Sequence, residues 1–179
     1  MNSQRRLVLA SLLAAVPMLA FAHPEAGDSS RFVSQKLSIG GRVKQSLDLS
    51  VEALKDFPVQ APPEIPIVGR TGEAVRRLKG YTGAKLIDIL DKSVLLAADH
   101  NDLKKTIIVA NATDGYKAVF SWNELYNTAV GEGVLVLYAK EGKPLGDDEG
   151  RLALISTKDL HTGPRHVRWL TDVQVQKIA

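Results

Sequence analysis

His161-Thr162-Gly163-Pro164-Arg165-His166-Val167-Arg168-Trp169-Leu170 sets two guanidiniums, two imidazoles and an indole around a Gly-Pro turn. Such a set can grip a flat, hydrogen-bonding or anionic molecule, because guanidiniums stack and fork while an indole offers a rigid face. After the turn, Val167 and Trp169, then Val173 and Val175, alternate, which predicts one terminal strand from Val167 to Val175. Before it, Arg151 to Ile155 is expected as a strand, and Lys158 and Asp159 are placed to shape the turn. The chain has no cysteine, which removes thiol redox chemistry, cysteine nucleophiles and thiolate-held metals.

Working outward toward the amino end, Gly133 to Ala139 reads as a core strand and Glu141-Gly142-Lys143-Pro144 as a hairpin turn. Ser121-Trp122-Asn123-Glu124 fits a capping box, so a short helix starts there. Tyr116, Ala118 and Phe120 alternate as a strand leaving the Asp114-Gly115 turn, and Thr106 to Ala110 is a buried strand. Leu86, Ile87, Ile89 and Leu90 give an apolar helix face running to about Lys92, after a turn at Gly80-Tyr81-Thr82-Gly83. Pro58, Pro62, Pro63 and Pro66 predict an extended, partly irregular path, ending in the run Ile65 to Val68 and the loop Gly69-Arg70-Thr71-Gly72. Ser50 caps a short helix through Lys55, and Leu37, Ile39, Val43, Leu47 and Leu49 form two strands joined by a tight hairpin at Gly40-Gly41. Successive strands with a few short helices predict an α+β, mainly β, single domain.

At the amino end, Arg5-Arg6, the apolar stretch Leu7 to Phe21 and Ala20-Phe21-Ala22 read as a cleaved secretory signal over residues 1–22. The apolar stretch is shorter than the ~20 residues a spanning helix needs, and Pro17 interrupts it. Residues 23–34 are expected as a flexible lead-in and residues 35–179 as the domain, which implies a periplasmic protein. Removing Arg5 and Arg6 leaves 21 basic against 20 acidic side chains, a balance that gives no reason to expect nucleic acid as a partner. Hydrophobic residues at 45% suffice for a core without disulfide staples.

Three segments, in order, resemble the sulfite-oxidase-like, molybdopterin-binding domain family. Tyr81-Thr82-Gly83-Ala84-Lys85-Leu86-Ile87-Asp88-Ile89-Leu90 is similar to its aromatic-x-Gly-x-x-Leu-x-x-x-Leu helix entry. Asn111-Ala112-Thr113-Asp114-Gly115-Tyr116, with Phe120-Ser121 and Glu124-Leu125 following, resembles its Ala-x-Asp-Gly-Tyr strand-turn-strand. Gly163-Pro164-Arg165-His166-Val167-Arg168-Trp169-Leu170 is similar to its Gly-x-Arg-x-Val-Lys-Trp-Leu signature. Catalytic members carry a molybdenum-ligating cysteine after the strand that here is Pro66-Ile67-Val68-Gly69, where this chain has Ile67 or Val68. An aliphatic side chain cannot replace a soft thiolate, so the resemblance implies a retained pterin pocket without molybdenum and argues against catalysis. Small exported members without the cysteine bind a free reduced pterin and act on a membrane enzyme of cyclic-di-GMP turnover. The implied function is thus a periplasmic pterin-binding regulator whose partner is the periplasmic domain of a membrane signalling protein. The rival is a molybdopterin-dependent oxidoreductase, or its cofactor-binding subunit, using other ligands.

A pterin needs a stacking face and a hydrogen-bonding edge. Trp169 supplies the face, unless it is a core residue of the terminal strand. Arg165 on the turn is the better ligand of the two arginines. Arg168, three residues on, points to the opposite side of a regular strand and reads equally as a solvated charge. His161 and His166 can hydrogen-bond the ring or a phosphate tail, and no zinc spacing joins them to His23 and His100. His23, exposed as a new amino terminus, is a weak copper candidate. Asp114 can pair with the pterin amino group or simply close its own Asp-Gly turn, with Tyr116 and Arg70 at the loop edges. Arg76-Arg77 and Lys104-Lys105 read as solvated surface.

Overall fold

The structure is a computed structural model and describes residues 29–178. The signal and His23 fall outside those residues. Burial alternates along β1 (Lys36–Gly41) and β2 (Leu47–Ser50), whose Leu37, Ile39, Leu47 and Leu49 are buried while their neighbours face outward. Ser50 Oγ accepts the Ala53 amide at 3.2 Å and starts α1 (Val51–Leu54). Then come β3 (Val59–Gln60), β4 (Glu64–Val68), β5 (Ala74–Lys79), β6 (Tyr81–Lys85) and α2 (Leu86–Ser93). They are followed by α3 (His100–Lys104), capped by Asp99, and by β7 (Thr106–Ala112) and β8 (Lys117–Ser121). The capping box of Ser121 and Glu124 opens α4 (Trp122–Asn127) as the sequence predicts. The chain closes with β9 (Val134–Lys140), β10 (Lys143–Pro144), β11 (Ala153–Ser156), β12 (His166–Val167) and β13 (Leu170–Lys177).

One sheet has the order β2-β1-β13-β7-β8, with β1 and β13 parallel and the other pairs antiparallel. The second runs β12-β11-β9-β6-β3, with β10 paired to β9. Leu37, Ile39, Ile108 and Val173 from the first sheet meet Val134, Val136, Leu154 and Val167 from the second, and Leu86, Ile89 and Leu90 of α2 join them. The outer face of the second sheet is covered too. There Leu135, Leu137, Ala153 and Ile155 pack against Ile65, Ile67 and Leu78 of the β4–β5 hairpin. Burial on both faces explains why β9 reads as a continuous apolar run and not an alternating one. The architecture is α+β and mainly β.

Four local expectations need correction. Gly40-Gly41 is not a two-residue hairpin: Gly41, at φ 85°, ends β1 so close to β13 that a Cβ would lie 2.2 Å from the Val175 carbonyl, and residues 42–46 make the connection. Pro66 lies inside a strand, which the two-stranded β4–β5 hairpin tolerates because an edge strand can forgo a donor. Residues 81–83 are strand and not turn, all paired to β9, with Gly83 paired to β3 as well. The terminal strand splits into β12 and β13, which belong to different sheets, because Trp169 adopts φ 52° and breaks the extended path. Arg76 and Arg77, read as plain surface, belong to β5, whose residues are exposed except for Leu78, so no apolar period marks it. The pattern likewise leaves α3 unmarked.

Candidate functional site

The 161–169 turn is stitched to the end of β4 by a residue the sequence does not single out. Thr162, buried, donates its hydroxyl to the Pro66 carbonyl at 2.5 Å and accepts the Val68 amide at 2.9 Å. One hydroxyl thus satisfies both orphan groups of a strand end. Next to it, His161 Nδ1 donates to the Gly69 carbonyl at 2.8 Å, since a carbonyl can only accept. Arg70 follows Gly69 in the same loop and is exposed, so the loop and His161 lie together.

Arg165 is engaged on three nitrogens. Nε and Nη2 fork onto Asp159 at 2.6 and 2.7 Å, Nη1 donates to Glu124 at 2.8 Å, and the guanidinium lies 4.5 Å from the Phe120 ring centroid. Burial pushes the Arg165 pKa down, but the hydrogen bonds and charges of Asp159 and Glu124 outweigh it and leave it raised. Ser156 donates to Asp159 at 2.7 Å, so the carboxylate is itself held in place. Glu124 serves both its own helix cap and Arg165. Tyr116 joins the same side by donating its hydroxyl to the Pro164 carbonyl at 2.7 Å. Asp114 uses Oδ1 to accept the Tyr116 amide at 2.9 Å, closing its own turn.

His166 points to the outer face of the second sheet, into a cluster built from four elements. Its Nε2 lies 3.3 Å from Glu149 Oε2 without hydrogen-bond alignment, and both atoms are buried without another partner. Arg76 Nη2 lies 3.3 Å from His166 Nδ1 and donates at 3.3 Å to Glu149 Oε1, which also accepts the Tyr81 hydroxyl at 3.3 Å. Burial raises the Glu149 pKa, while the His166 contact and the charges of Arg76 and Arg168 pull it down, leaving the carboxyl below its usual value. The Tyr81 phenol is pushed up to about 12 by burial and by the Glu149 charge.

Trp169 sits at the other end. Its Nε1 donates to the Asp147 carbonyl at 2.7 Å, and Gly150 passes so near that a Cβ there would fall 2.3 Å from Trp169 Cδ1. The Arg168 guanidinium lies 4.3 Å from the indole, and Phe32 packs against it with ring centroids 5.4 Å apart. Phe32 lies in the 3-10 turn Ser29–Phe32, within the expected lead-in.

All eight residues singled out from sequence therefore border one turn, but they face four ways. His161 and Arg70 lie at the β4–β5 loop, Arg165, Tyr116 and Asp114 lie toward α4 and β8, and Trp169 with Arg168 lies toward the amino-terminal segment. His166 is enclosed beneath them with Glu149. Phe32, Asp147, Glu149, Asp159 and Thr162 complete the region. Of these only Asp159 has a signal in sequence, its place just ahead of the turn. Among the described residues no three histidine, aspartate or glutamate side chains gather as a metal-holding group.

No family model matches the chain, and no curated protein matches it. Among solved structures, the crystal structure of the sulfane dehydrogenase SoxCD from Paracoccus pantotrophus is similar over 80% of this chain, with 16% identity and a TM-score of 0.57. The chain spans 38% of that protein's length. At this identity the likeness establishes a shared fold for the α+β domain described above.

Proposed function

We propose that this chain is a cysteine-less member of the sulfite-oxidase-like fold that binds a pterin at the 161–169 turn and regulates a membrane partner in the periplasm. In this reading Trp169 is the stacking face and the Asp147–Glu149 loop beside it supplies the hydrogen-bonding edge. The supporting observation is the surrounding of the indole. It has one guanidinium and one aromatic ring packed against it, and carboxylates stand in the loop that accepts its Nε1. Planar heterocycles with amino-substituted edges suit such surroundings.

The donor set does not suit molybdenum. Ile67, at the end of β4 where catalytic relatives carry a thiolate, is part of the apolar cluster under the hairpin, and Val68 gives its amide to Thr162. The chain has no cysteine and so no thiolate to offer. In this reading the pterin acts by binding, and its effect on a partner comes from binding the two states of the complex unequally. Cyclic-di-GMP turnover is the output that the sequence resemblance implies. The test is the content of protein purified from its native compartment. A fluorescent pterin released on denaturation, with no stoichiometric molybdenum, supports the reading. Stoichiometric molybdenum replaces it with the oxidoreductase alternative.

A further inference from the structure

We propose that residues 29–34 are a removable strap and that Phe32 occupies the seat over Trp169 that a planar ligand takes, so that binding releases the amino-terminal segment. This rests on the pterin reading of the Trp169 end. Phe32 is held as a flat ligand would be. The Arg31 guanidinium lies 4.5 Å from its ring centroid, Trp169 lies 5.4 Å away with the rings tilted by 48°, and the Arg168 guanidinium lies 4.3 Å from the indole. Phe32 thus touches one guanidinium and one ring, and so does the indole. A planar heterocycle in place of Phe32 takes over the indole contact, leaves the Arg168–indole contact in place while Arg31 departs with the strap, and adds polar edges that phenylalanine lacks.

Side-chain hydrogen bonds tie the strap to the domain at two places. Thr113 Oγ1 donates to the Phe32 carbonyl, and Ser34 Oγ donates to the Leu170 carbonyl at 2.5 Å. The first strand pairing among the described residues is at Lys36, and Phe32 is only half-buried. A segment with few buried apolar contacts opens at low free energy compared with the sheets. The remaining supports of Trp169, at Asp147 and Gly150, belong to the folded loop and stay when the strap leaves. Displacing Phe32 would therefore change the amino-terminal segment and not the pocket wall, which is what a signal to a partner requires.

The first measurement needs no ligand. In a Trp122→Phe background, so that Trp169 is the remaining tryptophan, Phe32→Ala should raise acrylamide quenching of Trp169 while the far-ultraviolet spectrum stays folded. Unchanged quenching overturns the strap whatever the ligand. The second uses tetrahydrobiopterin with the full mature chain. Hydrogen exchange of residues 29–34 should accelerate on binding, and Phe32→Ala should bind about three- to tenfold more tightly because the competing ring is gone. Binding that slows exchange there, or is weakened by Phe32→Ala, overturns the strap and leaves the pterin reading standing. No binding by either protein overturns both.

Discussion

The two ends of the 161–169 turn are fastened by different physics. At Arg165 three charged hydrogen bonds to Asp159 and Glu124 fix one geometry, because a forked guanidinium loses much of its binding when it tilts. At Trp169 the backbone is bonded to Glu149 and Thr113, while the side chain makes a single hydrogen bond, to Asp147, and otherwise ring and guanidinium contacts. Such contacts are tolerant of the identity of the partner ring. The first end is a mooring; in the proposed reading the second is the exchangeable end that meets the ligand, and Arg165 holds the turn in position.

The largest expected effect tests the mooring. Arg165→Ala leaves two mostly buried carboxylates uncompensated and should cost about 2–4 kcal/mol in urea unfolding, with Arg165→Lys recovering only part because an ammonium cannot fork. A cost below the noise would mean the turn is held elsewhere. Next, Gly150→Ala at φ 85° drives a methyl into Trp169 and should cost on the order of 2 kcal/mol while changing the near-ultraviolet tryptophan signal.

Between the ends lies Glu149. Its carboxyl is held below the ordinary 4.5, so its stabilisation is present above about pH 4.5 and is lost as pH falls through the lower folded value. Glu149→Gln should flatten that acid limb in thermal unfolding between pH 3 and 6 (a span set by the carboxylate range), whereas an unchanged limb would remove Glu149 from the balance. The smallest effect is at the exchangeable end. Phe32→Ala should cost about 1 kcal/mol or less, since the ring is half-buried and lies outside the core clusters. A loss as large as that for Arg165 would make Phe32 core and erase the contrast between the ends.

The elements that read well from sequence are those whose cause is local. Ser50 and the Ser121–Glu124 box announce their helices within four residues, and β9 announces itself by an unbroken apolar run. What did not read depends on distant partners. β5 has one buried side chain, and it becomes a strand by pairing with β4. The break at Trp169 comes from a positive φ on a residue that gives no warning of it. The turn itself was legible because five functional groups crowd into ten residues. The groups that orient it were not, because Thr162 acts on Pro66 and Val68, Arg165 on Glu124, and Trp169 on Phe32, each far away along the chain.

The position of β13 governs how this molecule comes into being. It lies in the middle of its sheet, parallel to β1 and antiparallel to β7, yet among the described strands it comes last in chain order. Until Leu170–Lys177 is made, β1 and β7 have no common neighbour. A pairing of such long sequence separation as β1 with β13 closes late. Cutting the chain before Leu170 should therefore abolish the domain, not merely fray its edge.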